Sequence, residues 1–390
     1  MYKIVALFFA HDFFLGISPM FAMFSAFMYD SGLNPMMIAV CFSTFFIATS
    51  LFELPSSLIA DKFSRKKVVL VADVIAFIGT AVMLVSQSQF AFIACLVISA
   101  ISYALKSGTM EALLYDELKV KNLEDKFPKA FAIYQSSVLI GIGFGLMIAS
   151  YTIAHGYGFV VFIAMVSICI SLFLLFFFIN ETPKFKLVHE EYSFKQIFQE
   201  AKSTILKSNV MLFMCLIVAI YQSVIMAFGD IAIVASMNLG WQKEEIARIC
   251  SVLTFMNIGV MFFVAKHISK LTVRVVNGIL FFALLFPFVG MMFGQLWSIF
   301  FVFPVWWCAG ISDIAVKTRI QGLVQSSSRA TVTSVISLIT GIFYIASTLA
   351  IGYIATKFSY AAGIVVIAGV MCFIMGLIFY KSRKAFDGVK

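Results

Sequence analysis

About twelve apolar runs, each near 20 residues long and parted by short charged loops, leave this chain few ways to fold. A helix needs about 20 such residues to cross a bilayer. The first six runs are 4–28, 35–60, 68–86, 90–113, 130–154 and 158–179. The second six are 210–235, 245–265, 274–293, 296–316, 330–355 and 360–380. Only 12% of the residues are charged and the mean hydropathy is +1.03, whereas a soluble domain carries roughly a quarter charged residues. No soluble core hides that much apolar surface, so lipid is the solvent and the backbone must satisfy its own hydrogen bonds. An all-α polytopic membrane protein is expected.

Between the two sets of six runs lies the longest polar segment, so the chain reads as two lobes. An N-terminal six-helix bundle is expected over 1–179, a cytoplasmic linker over 180–209 and a C-terminal six-helix bundle over 210–390. Within the linker, Phe194, Ile197, Phe198, Ala201 and Ile205 are spaced for a short amphipathic helix on the membrane surface. Charge placement tests the count of spans. With a cytoplasmic N-terminus, 24 of the 28 basic residues fall in inner loops, the linker or the C-terminal tail. One helix more or fewer would flip every later loop and erase the bias. Both termini are therefore expected inside, in a multi-pass protein of the bacterial inner (plasma) membrane. The net charge of +9 then faces the cytoplasm and anionic headgroups of the lipid bilayer, and no nucleic-acid partner is implied. The first run carries His11 and Asp12, is too long for a signal-peptide core and has no small-x-small cleavage site, so it reads as a span. The seven isolated cysteines all lie in apolar stretches, which points to packing and not to a disulfide frame or metal site.

The loop after the second run reads Ser57-Leu-Ile-Ala-Asp61-Lys-Phe-Ser64-Arg65-Lys66-Lys67. It resembles G-x-L-A-D-R-x-G-R-[RK], the signature between the second and third helices of the major facilitator superfamily, with both glycines replaced by serine. Glu53-Leu-Pro55 and Ser107-Gly-Thr-Met-Glu111-Ala-Leu-Leu-Tyr115-Asp116 are similar to stretches of its exporter-like, twelve-helix branch, as is Arg329-Ala-Thr331. Ala60–Arg65 is echoed by Ala265–Lys270 after the eighth run, a weak internal repeat. The resemblance implies two pseudo-symmetric six-helix bundles around a central cavity. It also implies a cytoplasmic gate motif made of Glu53, Asp61, Arg65, Lys66, Glu111 and Asp116. Asp61 would sit against a helix N-terminus, and Arg65 would pair with Glu111 or Asp116. The plain alternative is that Arg65, Lys66 and Lys67 only set topology.

Ionisable residues inside spans are costly and default to function. In the family, spans 1, 4, 7 and 10 line the cavity, and here all four carry such groups. Span 1 holds His11 and Asp12, about 12 Å inside the edge at 1.5 Å per residue. Span 4 holds Tyr103, Lys106 and Met110 at helical spacing, and span 7 holds Gln222, Met226 and Asp230. Span 10 holds Trp306, Asp313 and Lys317. Each has an alternative reading. Asp12 and Lys106 form either a structural ion pair or a site for substrate and protons. Asp230 is either a cavity group or solvated near the outer end. Asp313 and Lys317, four apart, satisfy each other or face the cavity. His11 is either a packing residue or part of the site. Asp73 and Glu53 read as gate or helix-end residues. The glycines of Gly141-x-Gly143-x-Gly145 fit close helix packing as well as an antiporter motif.

No Walker loop, zinc-type His cluster or serine elbow occurs, so neither enzyme chemistry, a metal nor a cofactor is implied. The expected function is secondary active transport by alternating access. Proton-coupled export of a small amphipathic compound, drug-like or a secreted metabolite such as a siderophore, is the leading form. Uptake of a small organic anion, with Lys106 as counter-ion, and lipid flipping are the alternatives, and a transport-inactive receptor is a different class. The expected partners are a small-molecule substrate, protons and the bilayer, for a monomer.

Overall fold

The computed structural model describes residues 1–18, 23–179, 208–267, 272–312, 316, 318–323 and 329–382. Those residues form α-helices, short 3-10 turns and loops, with no strand among them. The expected amphipathic helix of the linker lies outside them, as do Asp313, Lys317 and half of the second copy of the loop repeat. The chain forms two compact units. The first comprises Met1–Leu33, Val40–Leu187 and Gln242–Ile258; the second comprises Asn34–Ala39, Val188–Trp241 and Gly259–Lys390.

The first unit contains α1 (Tyr2–Gly16), α2 (Phe24–Asp30), most of α3 (Pro35–Lys62), α4 (Arg65–Val85), α5 (Gln89–Lys106), α6 (Thr109–Val120), α7 (Phe127–Thr152), α8 (Tyr157–Phe178) and the start of α10 (Lys243–His267). Local chemistry sets the helix ends. Ser64 and Ser88 cap α4 and α5 by accepting from the amides of Lys67 and Ala91, both at 3.3 Å. The expected fourth span runs as two helices, because Gly108 takes a φ of +73° that few other residues tolerate. Glycines also bring α1 and α7 backbone to backbone. Gly141 lies against Phe13 and Gly16, and a Cβ on Gly145 would stand 2.6 Å from the Ile17 carbonyl. At one end of the unit Val5, Phe8, Val69, Met110, Leu113, Leu114, Tyr134 and Leu175 form an apolar core.

The second unit contains α9 (Asn209–Asn238), the remainder of α10, α11 (Val273–Met291), α12 (Phe303–Ile311), α13 (Thr318–Leu323), α14 (Arg329–Lys357) and α15 (Tyr360–Ser382). Its centre is α9, mostly apolar and mostly buried, with Val218, Tyr221, Val224, Phe228 and Ile231 covered by neighbours. Tyr221 donates to the Val305 carbonyl at 3.1 Å, so its hydroxyl is satisfied without water.

Among the described residues, ten helical stretches are long and apolar enough to cross a membrane, with α5 and α6 counted as one. The expected first and tenth spans fall on shorter pieces. Span 1 falls on α1, which ends at Gly16, and α2, which begins at Phe24. The described part of span 10 falls on a 3-10 turn at Leu296–Phe301 and on α12. The protein is an all-helical integral membrane protein.

Candidate functional site

Three helices of the first unit place charges at one point in its apolar interior, and a fourth adds a tyrosine. His11 and Asp12 sit near the end of α1, and Asp73 on the α4 face that also buries Val69 and Ala72. Lys106 is the last residue of α5, where the negative end of the helix dipole favours a cation. Tyr134 of α7 stands beside Asp12. The backbone is held too: Ser102 donates to the Ala72 carbonyl at 2.7 Å and Ser171 to the His11 carbonyl at 3.1 Å.

The His11 imidazole bridges two carboxylates. Its Nδ1 lies 2.7 Å from Asp12 Oδ1 and its Nε2 lies 2.8 Å from Asp73 Oδ2. Lys106 Nζ is 2.9 Å from Asp73 Oδ1 and 3.9 Å from Asp12 Oδ1. The shorter of these is an ion pair and not an aligned hydrogen bond, so Asp73 Oδ1 has no regular donor. His11 and Asp73 are fully buried, while the Lys106 side chain keeps 20% of its surface. Sequence reasoning paired Lys106 with Asp12 and left Asp73 among gate or helix-end residues. The structure instead makes Asp73 the nearest partner of Lys106 and a ligand of His11. The signal was present, a lone acid one turn or two inside an apolar run, but its partners on α1 and α5 are met only once the helices have docked.

Hydrogen-bond accounting limits what this array can be. A neutral imidazole has one donor and one acceptor, and an ionised carboxylate only accepts. With both ring nitrogens at carboxylate oxygens, either the imidazole is doubly protonated or one carboxyl carries the proton. In both cases the group holds one proton beyond neutral His and two carboxylates. With that proton, two acids, one lysine and the shared charge sum to zero, the condition a low-dielectric interior favours. Without it, a lone pair on nitrogen faces a carboxylate oxygen.

The other expected residues scatter. Met110 packs in the apolar core, and Tyr103 is 56% exposed with its ring 6.2 Å from that of Phe45. The break at Gly108 ends the helical register, so Tyr103, Lys106 and Met110 share no continuous face. Of the loop motif, Arg65 pairs with buried Asp116 and donates to the Ala112 carbonyl at 3.2 Å. Lys66 donates to the Phe176 carbonyl at 2.8 Å, Glu53 and Glu111 are exposed, and the Asp61 side chain lies outside the described ones. In the second unit, Gln222 and Asp230 are half-buried and Met226 is exposed along one face of α9. Tyr344 of α14 donates to Asp230 Oδ2 at 2.5 Å. The Trp306 indole lies against Gly229. Missing from the sequence reading altogether was a polar cluster in the first unit. Asp30 accepts from Lys243 at 2.8 Å and from Tyr157 at 2.9 Å, and the ammonium stands 4.9 Å from the Tyr157 ring centre.

The family model described as Major Facilitator Superfamily matches residues 4–328. The chain belongs to the major facilitator superfamily. No curated protein matches it. Solved structures of this superfamily protein's fold include the nucleoside transporter NupG, 15% identical over 97% of this chain and 98% of that one, with a TM-score of 0.76. A bacterial homolog of the human lysosomal transporter Spinster, inward-facing and occupied, is 15% identical over 99% and 96%, with a TM-score of 0.77. A POT family transporter in complex with 5-aminolevulinic acid is 13% identical over 97% and 96%, with a TM-score of 0.75. At these identities the likeness is one of fold. Membership makes this protein a major facilitator transporter.

Proposed function

We propose that this transporter is a proton-coupled secondary carrier of the exporter-like branch, working by alternating access on a small amphipathic compound. The observation that carries the reading is the His11 bridge between Asp12 and Asp73, with Lys106 beside it. Intramembrane acids and histidines are the usual proton carriers of such proteins. Here the proton cannot leave without putting an acceptor against an acceptor, so its departure pushes His11 off one carboxylate. That ties proton release to a movement of α1 against α4. Tyr134 and Lys106 are placed to take the freed carboxylate, Lys106 with least loss because its contact with Asp73 is not an aligned hydrogen bond. The pair of Arg65 with Asp116 fits a latch at the end of the molecule that the basic loops mark as cytoplasmic. A monomer in the bacterial inner membrane, both termini inside, completes the reading.

Uptake of an organic anion through Lys106 is less well supported, since two carboxylates already stand within 4 Å of that ammonium. The neighbouring structures bind nucleosides, peptides or 5-aminolevulinic acid by name, and none of these chemistries dictates the cargo here. The decisive experiment is flux in proteoliposomes under an imposed pH gradient, with a panel of cationic, neutral and anionic amphipaths and a pH-sensitive dye inside. Substrate-dependent proton movement, lost in Asp12→Asn while substrate exchange persists, is the expected result. Full pH-driven flux in a charge-free Asp12→Asn/Lys106→Ala variant would overturn the mechanism.

A further inference from the structure

Of the first two bases after the cap of α4, the fold absorbs one and leaves the other. Arg65 pairs with buried Asp116. Lys66 instead reaches the end of α8, where its Nζ donates to the Phe176 carbonyl at 2.8 Å and stands 5.8 Å from the Phe176 ring centre. An ammonium has three donors, and among the described residues no carboxylate takes the two that remain. One turn away along α8, at Phe173, begins an open groove of about 400 Å³ between α8 and α4. Phe77 of α4 and Phe162, Val166, Cys169, Ile170 and Phe173 of α8 line it. No lining residue is charged, and Phe162, Val166, Cys169 and Phe173 follow one exposed face of the helix. From Phe173 to Phe162 the helix rises about 16 Å at 1.5 Å per residue, close to the ~15 Å of hydrocarbon in one leaflet. A flat helix face touches exchanging lipids without choosing a headgroup. Here the surface is concave, one chain deep along its length, and a base with free donors stands beyond its end. Exposed Lys62 and Lys67 add positive charge beside the same loop.

We infer that the groove of α4 and α8 is a binding site for one anionic phospholipid, with its phosphate at Lys66 and an acyl chain along Phe77, Val166 and Cys169. A soluble anion would have no use for the apolar groove. A second copy of the chain would have to bring an acid to Lys66 from within an apolar face. The site lies outside the proposed proton array, and its existence does not depend on what the protein carries.

The test is native mass spectrometry of the full-length protein after equilibration in mixed micelles with equal amounts of dioleoylphosphatidylglycerol and dioleoylphosphatidylcholine, which share their chains. One phosphatidylglycerol should be retained in preference. Lys66→Gln should lower that preference about fivefold, the weight of one base at an anionic surface, and Lys66→Arg should keep it. Cys169→Trp, which fills the groove from an exposed position, should lower retention of both lipids. Phe373→Trp on α15, 68% exposed, should change neither. Equal retention of the two lipids, an unaltered preference in Lys66→Gln, or unaltered retention in Cys169→Trp overturns the inference. So does full displacement by glycerol 3-phosphate, which would make this a headgroup site alone, or a dimer in the same spectra that Cys169→Trp abolishes, which would give the groove to a second copy. If Lys66→Gln does not fold, the preference of the wild type and the contrast of Cys169→Trp with Phe373→Trp decide by the same criteria.

Discussion

Replacing Asp73 by Asn, alone and together with Lys106→Met, tests the arrangement on which the proton site depends. The Asp73 carboxylate, with 1% of its side chain exposed, meets His11 Nε2 at 2.8 Å and Lys106 Nζ at 2.9 Å. Breaking a buried pair by removing one partner costs about 3–5 kcal/mol, because the other charge is left alone. Lys106 also has Asp12, but at 3.9 Å. At an effective dielectric of about 20, Coulomb's law gives about 6 kcal/mol at the shorter distance and about 4 at the longer, before desolvation. The coupling of Lys106 with Asp73 should therefore exceed its coupling with Asp12 by about 1–2 kcal/mol in double-mutant cycles. Asp73→Asn should be strongly destabilised, and Asp73→Asn/Lys106→Met should recover much of the loss, since the remaining His11–Asp12 pair can be neutral overall. Reversible unfolding in mixed detergent micelles, followed by tryptophan fluorescence, measures all the variants on one scale. Additive losses for Asp73 and Lys106, or a larger coupling of Lys106 to Asp12, would show that the array is not arranged this way.

Arg65→Ala should destabilise by about 3–5 kcal/mol, because it strands the buried Asp116 carboxylate; Arg65→Ala/Asp116→Asn should regain part of this in the same assay, and additivity would count against the pair. The Asp30–Lys243 pair has both side chains 29% exposed, so its double-mutant coupling should be only about 0.2–1 kcal/mol and should shrink in high salt. Gly145→Val should cost about 1–3 kcal/mol or more through overpacking against the Ile17 carbonyl, whereas Gly158→Ala, with open space around it, should be near neutral in thermal unfolding. Equal effects at the two glycines would refute the close approach of α1 and α7.

Hydropathy is a local property, so the membrane class was legible residue by residue: each run of about 20 apolar residues needs lipid whatever its neighbours do. The loop motif was legible for a similar reason. Arg65 follows its helix cap directly, and its candidate partners were limited to two acids one turn and a half apart, Glu111 and Asp116. Choosing between them required the actual face of α6, which buries Asp116 and leaves Glu111 in the open. The glycine row in α7 likewise pointed to close packing, but the partner, the end of α1, could not be named from spacing.

What the chain alone determined was which residues could not face lipid uncompensated: His11, Asp12, Asp73, Lys106 and Asp230 are all charged or polar groups in apolar runs, and a count along the sequence finds every one. Which of them compensate each other was decided by tertiary structure. Docking of the helices within the first unit brought Asp73 to both His11 and Lys106, and the turn at Gly108 sent Met110 into the core. Among the described residues, a single tyrosine and no base fell to Asp230. An ion pair forms across about 3 Å and is indifferent to sequence separation, so its partners, 62 residues apart for His11 and Asp73, exist only once the helices have docked.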